Sequence, residues 1–125
     1  MGTYSKIVLS GSTNGQGLVV TGDSESATPT KGVIVHTAVT GTAASIDEVW
    51  TWVWSAATTA SELTVMLGVT TATGSRFTQT VTADDKKGLV LVTPGLVMNG
   101  AIKMKFSATA DTRFNVFGYV NRYAS

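Results

Sequence analysis

The chain contains no cysteine. That excludes a disulfide scaffold, thiolate zinc sites and cysteine nucleophiles. Charge is scarce as well. Asp, Glu, Lys and Arg make up 14% of the residues, against about 25% in an average domain. Nine basic and eight acidic side chains leave a formal charge of +1. Nucleic-acid binding rests on clustered Lys and Arg, so no nucleic-acid partner is expected. The runs "DDKK" (Asp84 to Lys87) and "KMK" (Lys103 to Lys105) are too short and too mixed to make a basic patch. No apolar run approaches the ~20 residues of a membrane helix. The opening "MGTYSKIVLSG" lacks a basic region followed by a long apolar stretch, so neither a secretory leader nor a membrane partner is expected. Lys6 also stands where an N-myristoylation signal needs Ser or Thr.

Groups able to do chemistry are equally few. The single histidine, His36, lies in "VIVHTAV". On a regular strand it faces the same way as Ile34 and Ala38, and it reads as a structural or surface histidine rather than a catalytic base. Asp47 and Glu48 are adjacent, so on a strand they point to opposite faces and cannot flank one cleft as a glycosidase pair does. Asp84 and Asp85 sit beside Lys86 and Lys87 in an expected hairpin turn, where a solvated charge cluster is the simple reading. "DSES" (23–26) lacks the spacing, the Gly and the closing Glu of a calcium loop. "GSTNGQG" (11–17) lacks the Gly-Lys-Ser/Thr ending of a phosphate loop, and no Gly-x-Ser-x-Gly elbow occurs. No catalytic residue, metal or cofactor is expected, and the chain is not read as an enzyme.

What the sequence does contain is β-structure. It is rich in Thr, Val, Ser, Gly and Ala, with frequent turn-forming clusters and almost no helical periodicity. Strands are expected near 4–9, 17–21, 33–39, 47–55, 62–70, 76–82, 88–92, 102–107 and 114–122. The alternation is clear in several. Leu63, Val65, Leu67 and Val69 oppose Glu62, Thr64, Met66 and Thr70; Ile102, Met104 and Phe106 oppose Lys103, Lys105 and Ser107. In the last strand Phe114, Val116 and Val120 alternate with Asn115, Phe117, Tyr119 and Asn121, so the more polar face still carries two aromatics. Gly118 marks a bulge or the close approach of another backbone. Leu89 to Val92 is continuously apolar and implies cover on both faces; Pro94 and Gly95 then end the strand and turn the chain, and Asn99-Gly100 signals a tight turn. Many short strands in 125 residues make one all-β domain spanning 1–125, a two-sheet antiparallel β-sandwich. A jelly roll of about eight strands is the expected topology, with an immunoglobulin-like sandwich as the alternative.

The sharpest feature is "EVWTWVWS" (48–55), which places Trp50, Trp52 and Trp54 on alternate positions and therefore on one face of one strand. A buried indole hides ~150–250 Å², roughly 4–6 kcal/mol of transfer energy at ~25 cal/mol per Å². Three in a row call for a cover. The facing sheet, a neighbouring subunit and a stacked carbohydrate are the candidates, the sugar with polar help from Thr58, Thr59 and Glu62. The other face of the strand, Val49, Thr51, Val53 and Ser55, is itself partly apolar. A mean hydropathy of +0.21 also fits apolar surface covered by other subunits.

The order "IDEVW", then "LTVMLG", then "LVLVTPGLVMNG", then "FGYVNR" resembles small virion structural proteins of tailed bacteriophages, over roughly residues 33 to 123. The resemblance implies a capsid decoration (cement) protein, or a head–tail or tail component. It implies a major capsid protein as partner, self-association with a homotrimer favoured, and a place on the capsid surface of the virion after synthesis in the host cytoplasm. Residues 1–6 would then serve as an N-terminal arm. Trp50, Trp52, Trp54, Phe117 and Tyr119 are the expected core or subunit-interface residues.

Overall fold

The computed structural model describes residues 2–20, 32–40, 44–55, 61–68, 76–81, 88–108 and 114–124. They form nine strands: β1 (Thr3–Val8), β2 (Leu18–Val19), β3 (Val33–Thr37), β4 (Ile46–Ser55), β5 (Ser61–Leu67), β6 (Arg76–Val81), β7 (Leu89–Met98), β8 (Lys103–Ala108) and β9 (Phe114–Ala124). All pairings are antiparallel. One sheet has the order β1-β9-β4-β7, with β2 also on β9; the other has the order β3-β8-β5-β6. The two pack together as a β-sandwich, as the strand count and alternation predict.

The core lies between the sheets. Val49 and Val53 of β4, Phe114, Val116 and Val120 of β9, Leu63 and Val65 of β5, and Met104 and Phe106 of β8 are all buried. Apart from Val49 and Val53, whose face the alternation left open, these are the period-two positions read from the sequence. Ile102 precedes β8 and is exposed instead.

Four local readings change. Thr3 to Lys6, expected as an arm, belong to β1 and pair with β9 from Thr3–Ala124 to Lys6–Asn121. Pro94 and Gly95 do not end a strand. β7 runs through them to Met98, because among the described residues it pairs only with β4 and because register shifts at Val49/Trp50 and Thr51/Trp52 take up the irregularity. Proline is tolerated in a strand at such edges and bulges. Leu89 and Leu91 are not covered on both sides; their side chains are exposed. The tight turn expected at Asn99-Gly100 does form, with Gly100 and Ala101 as its left-handed residues and Ile102 N donating to Asn99 O.

The fourth change concerns His36. A bulge in β3 between Ile34 and His36 breaks the alternation. A bulge lets two successive residues turn the same way. Val35 and His36 are both fully buried, while Ile34 is exposed. His36 therefore does not share a face with Ile34.

Candidate functional site

Register fixes the position of the tryptophans. Across β4 and β9, Val49 pairs with Val120 and Val53 with Val116, both inward; Trp50 pairs with Tyr119 and Trp52 with Phe117. The valine face of β4 is the core, and the indole face points away from the second sheet. Trp50, Trp52, Trp54, Phe117 and Tyr119 are each only half-buried. The facing-sheet cover is thus ruled out, and these five residues lie together on the outer face of the five-stranded sheet.

There the rings shield one another. Trp50 and Trp52 have centroids 6.2 Å apart, Trp50 and Tyr119 6.4 Å, and Trp52 and Tyr119 6.0 Å. Their planes lie within 10–27° of one another. Near-equal separations make a triangle of near-parallel rings rather than a column. Lys6 Nζ sits 4.5 Å from the Tyr119 ring centroid, a cation–π geometry. Gly95, at a φ of 78°, leaves space for Trp50, whose ring lies 3.2 Å from where a Cβ would be. Glu48 Oε1 accepts hydrogen bonds from Trp50 Nε1 at 2.7 Å and from Asn121 Nδ2 at 3.3 Å. These bonds, Trp50's first, hold the Glu48 carboxyl below its usual pKa.

The surround of this cluster is aliphatic. Of the exposed large hydrophobic residues, Tyr4, Val8, Val19, Leu89, Leu91 and Val97 all share rows with β4 or β9 residues of this face. Among the described residues only Ile34, Phe77 and Ile102 lie elsewhere. The outer face of the second sheet is mixed: Glu62, Thr78, Thr80 and Lys103 are exposed there beside Ile34, while Thr64, Met66 and Ser107 of the same face are buried. The sandwich is therefore two-sided, with one apolar, aromatic surface. Of the polar groups expected beside the indoles, Glu62 lies on β5 in the other sheet, and Thr58 and Thr59 lie outside the described residues.

A second constellation is buried and was not anticipated. Asp47 and Glu48 do point to opposite faces, and Asp47 goes inside. Its Oδ2 accepts from His36 Nε2 at 2.7 Å, Val39 N at 3.0 Å and Arg122 Nη2 at 2.9 Å; Oδ1 accepts from Arg122 Nε at 2.8 Å. The main-chain N–H of Ser10 donates to His36 Nδ1 at 3.0 Å. Nδ1 must then be the unprotonated nitrogen, so His36 is neutral and carries its proton on Nε2. Both ring nitrogens are engaged, which leaves no lone pair for a general base. The group ties β3 of one sheet to β4 and β9 of the other. Only the position of Asp47 on the inner parity of β4 hinted at it; its partners are 11 and 75 residues away in sequence.

Burial lowers the His36 pKa from its ordinary 6.5, outweighing the opposing pull of Asp47. Burial pushes Asp47 up, but hydrogen bonds from Arg122 and then His36 outweigh it and hold the carboxyl below 3.8. In both cases the unfolded chain takes up its proton at a higher pH than the folded chain. Stability therefore rises with pH across each window. The urea midpoint is expected to be level above pH 6.5, to fall as the pH drops below that value, and to fall again below 3.8. His36→Asn should remove the first decline and keep the second. A midpoint that rises on acidification contradicts this protonation scheme.

A third feature is a hollow of ≈ 310 Å³ lined by Phe77 of β6 and by Val92 to Val97 of β7. Its one polar side chain is Thr93, whose hydroxyl donates to Val49 O at 3.1 Å and accepts from Thr51 Oγ1 at 2.6 Å. That leaves an apolar depression without convergent polar groups. Among the described residues no three His, Asp or Glu side chains are grouped to hold a metal ion. Comparison with protein families, with curated proteins and with solved structures finds no match.

Proposed function

We propose that the protein is a non-enzymatic structural subunit of a tailed-phage virion, a capsid decoration protein that bridges and stabilises major capsid subunits. The observation that carries this reading is the one-sided aromatic face. A surface with Trp50, Trp52, Phe117 and Tyr119 at its centre and exposed aliphatics around them has the make-up of a protein–protein interface centre. The phrasing shared with small phage structural proteins supplies the setting, the outer surface of a shell assembled in the host cytoplasm. The strand order also suits it. We read β1/β2-β9-β4-β7 over β3-β8-β5-β6 as a jelly roll, in which β1 and β2 together form one edge on β9 and the later strands pass between sheets except at the β5–β6 hairpin. A head–tail or tail position is the nearest variant.

A carbohydrate platform is the second reading. The near-parallel rings with Glu48 and Asn121 beside them favour it. The aliphatic surround weighs against it, since sugar recognition needs polar groups around the stacked ring.

The test is to add the purified chain to undecorated particles and heat them. Saturable binding should raise the shell's melting temperature by several degrees, because a ligand that binds only the intact state stabilises it. Trp52→Ala should weaken the shift. No shift at saturation overturns the cement role, and Trp-dependent binding on a glycan array in its place establishes the second reading.

A further inference from the structure

We propose that the aromatic face binds a second copy of this chain, the two five-stranded sheets packing face to face about a two-fold axis that runs parallel to the strands over β9. This rests on reading the face as an assembly surface, and it names the occupant. Among the described residues most of the exposed large apolar side chains lie on one face of one sheet, with Ile34, Phe77 and Ile102 elsewhere. A two-fold buries the same patch on both partners, whereas a ring of three needs two different patches on every copy. The pair therefore replaces the trimer as the self-association proposed here.

Charge and size fix the axis. Lys6, Asn121 and Glu48 occupy a single cross-strand row, with Lys6 on β1 and Glu48 on β4, one strand to either side of β9. Rotation about an axis over β9 exchanges the two outer positions. Lys6 of each copy then meets Glu48 of the other, and the two Asn121 amides face each other. The same rotation acts on the next rows. Val8 shares a row with Tyr119 and Trp50, and Val19 shares one with Asn115 and Trp54. Trp50 and Trp54 are thereby set against valines of the other copy, while Phe117 and Tyr119 approach their own counterparts at the axis. A two-fold running across the strands does the opposite. It stacks β4 on β4, indole row on indole row, and leaves the valines facing one another.

The overlap is modest. About this axis β1, β9 and β4 face their counterparts, while β7 lies outside the overlap. Three strands at ~4.8 Å spacing and a length of ~30 Å give a face of roughly 430 Å² before side-chain relief. Two such faces fall below the ~1,200–2,000 Å² of a standard stable interface, so the pair is a weak, concentration-dependent one held by its charge and ring complementarity. Sheets packed this way keep their strands within about 30° of each other, so the central rows stay in register.

The experiment is sedimentation equilibrium on the full chain, from low to high micromolar concentration, with far-ultraviolet circular dichroism to confirm folding. The native chain should approach twice the chain mass at the high end of that range. Lys6→Glu and Glu48→Lys should each weaken pairing by at least about tenfold, since each sets like charges together twice across the interface. The double variant should recover the native mass, because the swap restores both ion pairs. Val8→Trp, at an exposed position, should also block pairing by setting indole against indole. A native monomer at high concentration, a trimer mass, or a folded double variant that stays monomeric overturns the proposal. A monomer that nevertheless binds and stabilises undecorated shells leaves the virion reading standing and gives the face to the capsid subunit.

Discussion

Asp47→Ala is expected to lower the melting temperature by roughly 10–20 °C, from a loss of about 3–5 kcal/mol. The carboxylate is fully buried and accepts four hydrogen bonds. Its removal leaves the His36 Nε2–H and the Val39 N–H without an acceptor, and a guanidinium without its counter-charge. Unsatisfied buried donors and charges are among the costliest defects in a fold. Arg122→Met should cost less. The Arg122 side chain is 29% exposed, and Asp47 would keep its two neutral donors. Asp47→Asn should recover little of the loss, because one amide position becomes a donor and faces another donor whichever way it turns. Thermal unfolding of the three variants, read by circular dichroism, tests the order. If Asp47→Ala melts within a few degrees of the native chain, the His36–Asp47–Arg122 group does not clamp the sheets.

How far these features were legible differs by residue. The alternation in β5, β8 and β9 placed Leu63, Val65, Met104, Phe106, Phe114, Val116 and Val120 inside, because a half-buried strand writes its burial into a period of two. The same rule separated Asp47 from Glu48. It could not choose the inner face of β4, since Val49 and Val53 on one side and three tryptophans on the other are both apolar. Pairing decides it. The neighbours of β4 bring Val116 and Val120 to the valine side, and a row of three indoles is bulky for sheets ~10 Å apart. His36 was misplaced for a local reason, because a bulge adds one residue and shifts every later parity. The Asp47 clasp was invisible for a topological one. Its members meet only after β3, β4 and β9 have been assembled, and single polar residues scattered on three strands carry no pattern. Pro94 misled because a proline reads as a strand end unless the strand is known to lie at an edge.

Gly118→Ala is expected to be as damaging as the loss of Asp47, about 3–5 kcal/mol, by an unrelated route. Gly118 pairs with Thr51 in the middle of the β4–β9 ladder. A Cβ built there would lie 2.1 Å from the carbonyl oxygen of Trp50 and 3.1 Å from Thr51 Cα. Both obstacles are main chain of a strand that is paired on its two sides, with β9 and with β7. Neither can give way without breaking ladder hydrogen bonds, so even one methyl group is too much. Of the two meanings a glycine can have in this strand, close approach is the one that applies, as no register shift occurs between β4 and β9. Gly88→Ala is the control. Nothing lies within 4 Å of its Cβ position and only its φ of 77° opposes a side chain, so a cost of ~1 kcal/mol is expected. The two severe variants should also differ from each other. Asp47→Ala removes a clasp on the inner side and leaves the outer rings in place, so below its melting temperature it should still self-associate. Gly118→Ala forces β9 away from β4 between Phe117 and Tyr119, and should lose self-association even where circular dichroism reports folded chain. Sedimentation of both at low temperature separates the outcomes. A Gly118→Ala chain that pairs as the native one does would show that the aromatic face does not depend on the close contact of these two strands.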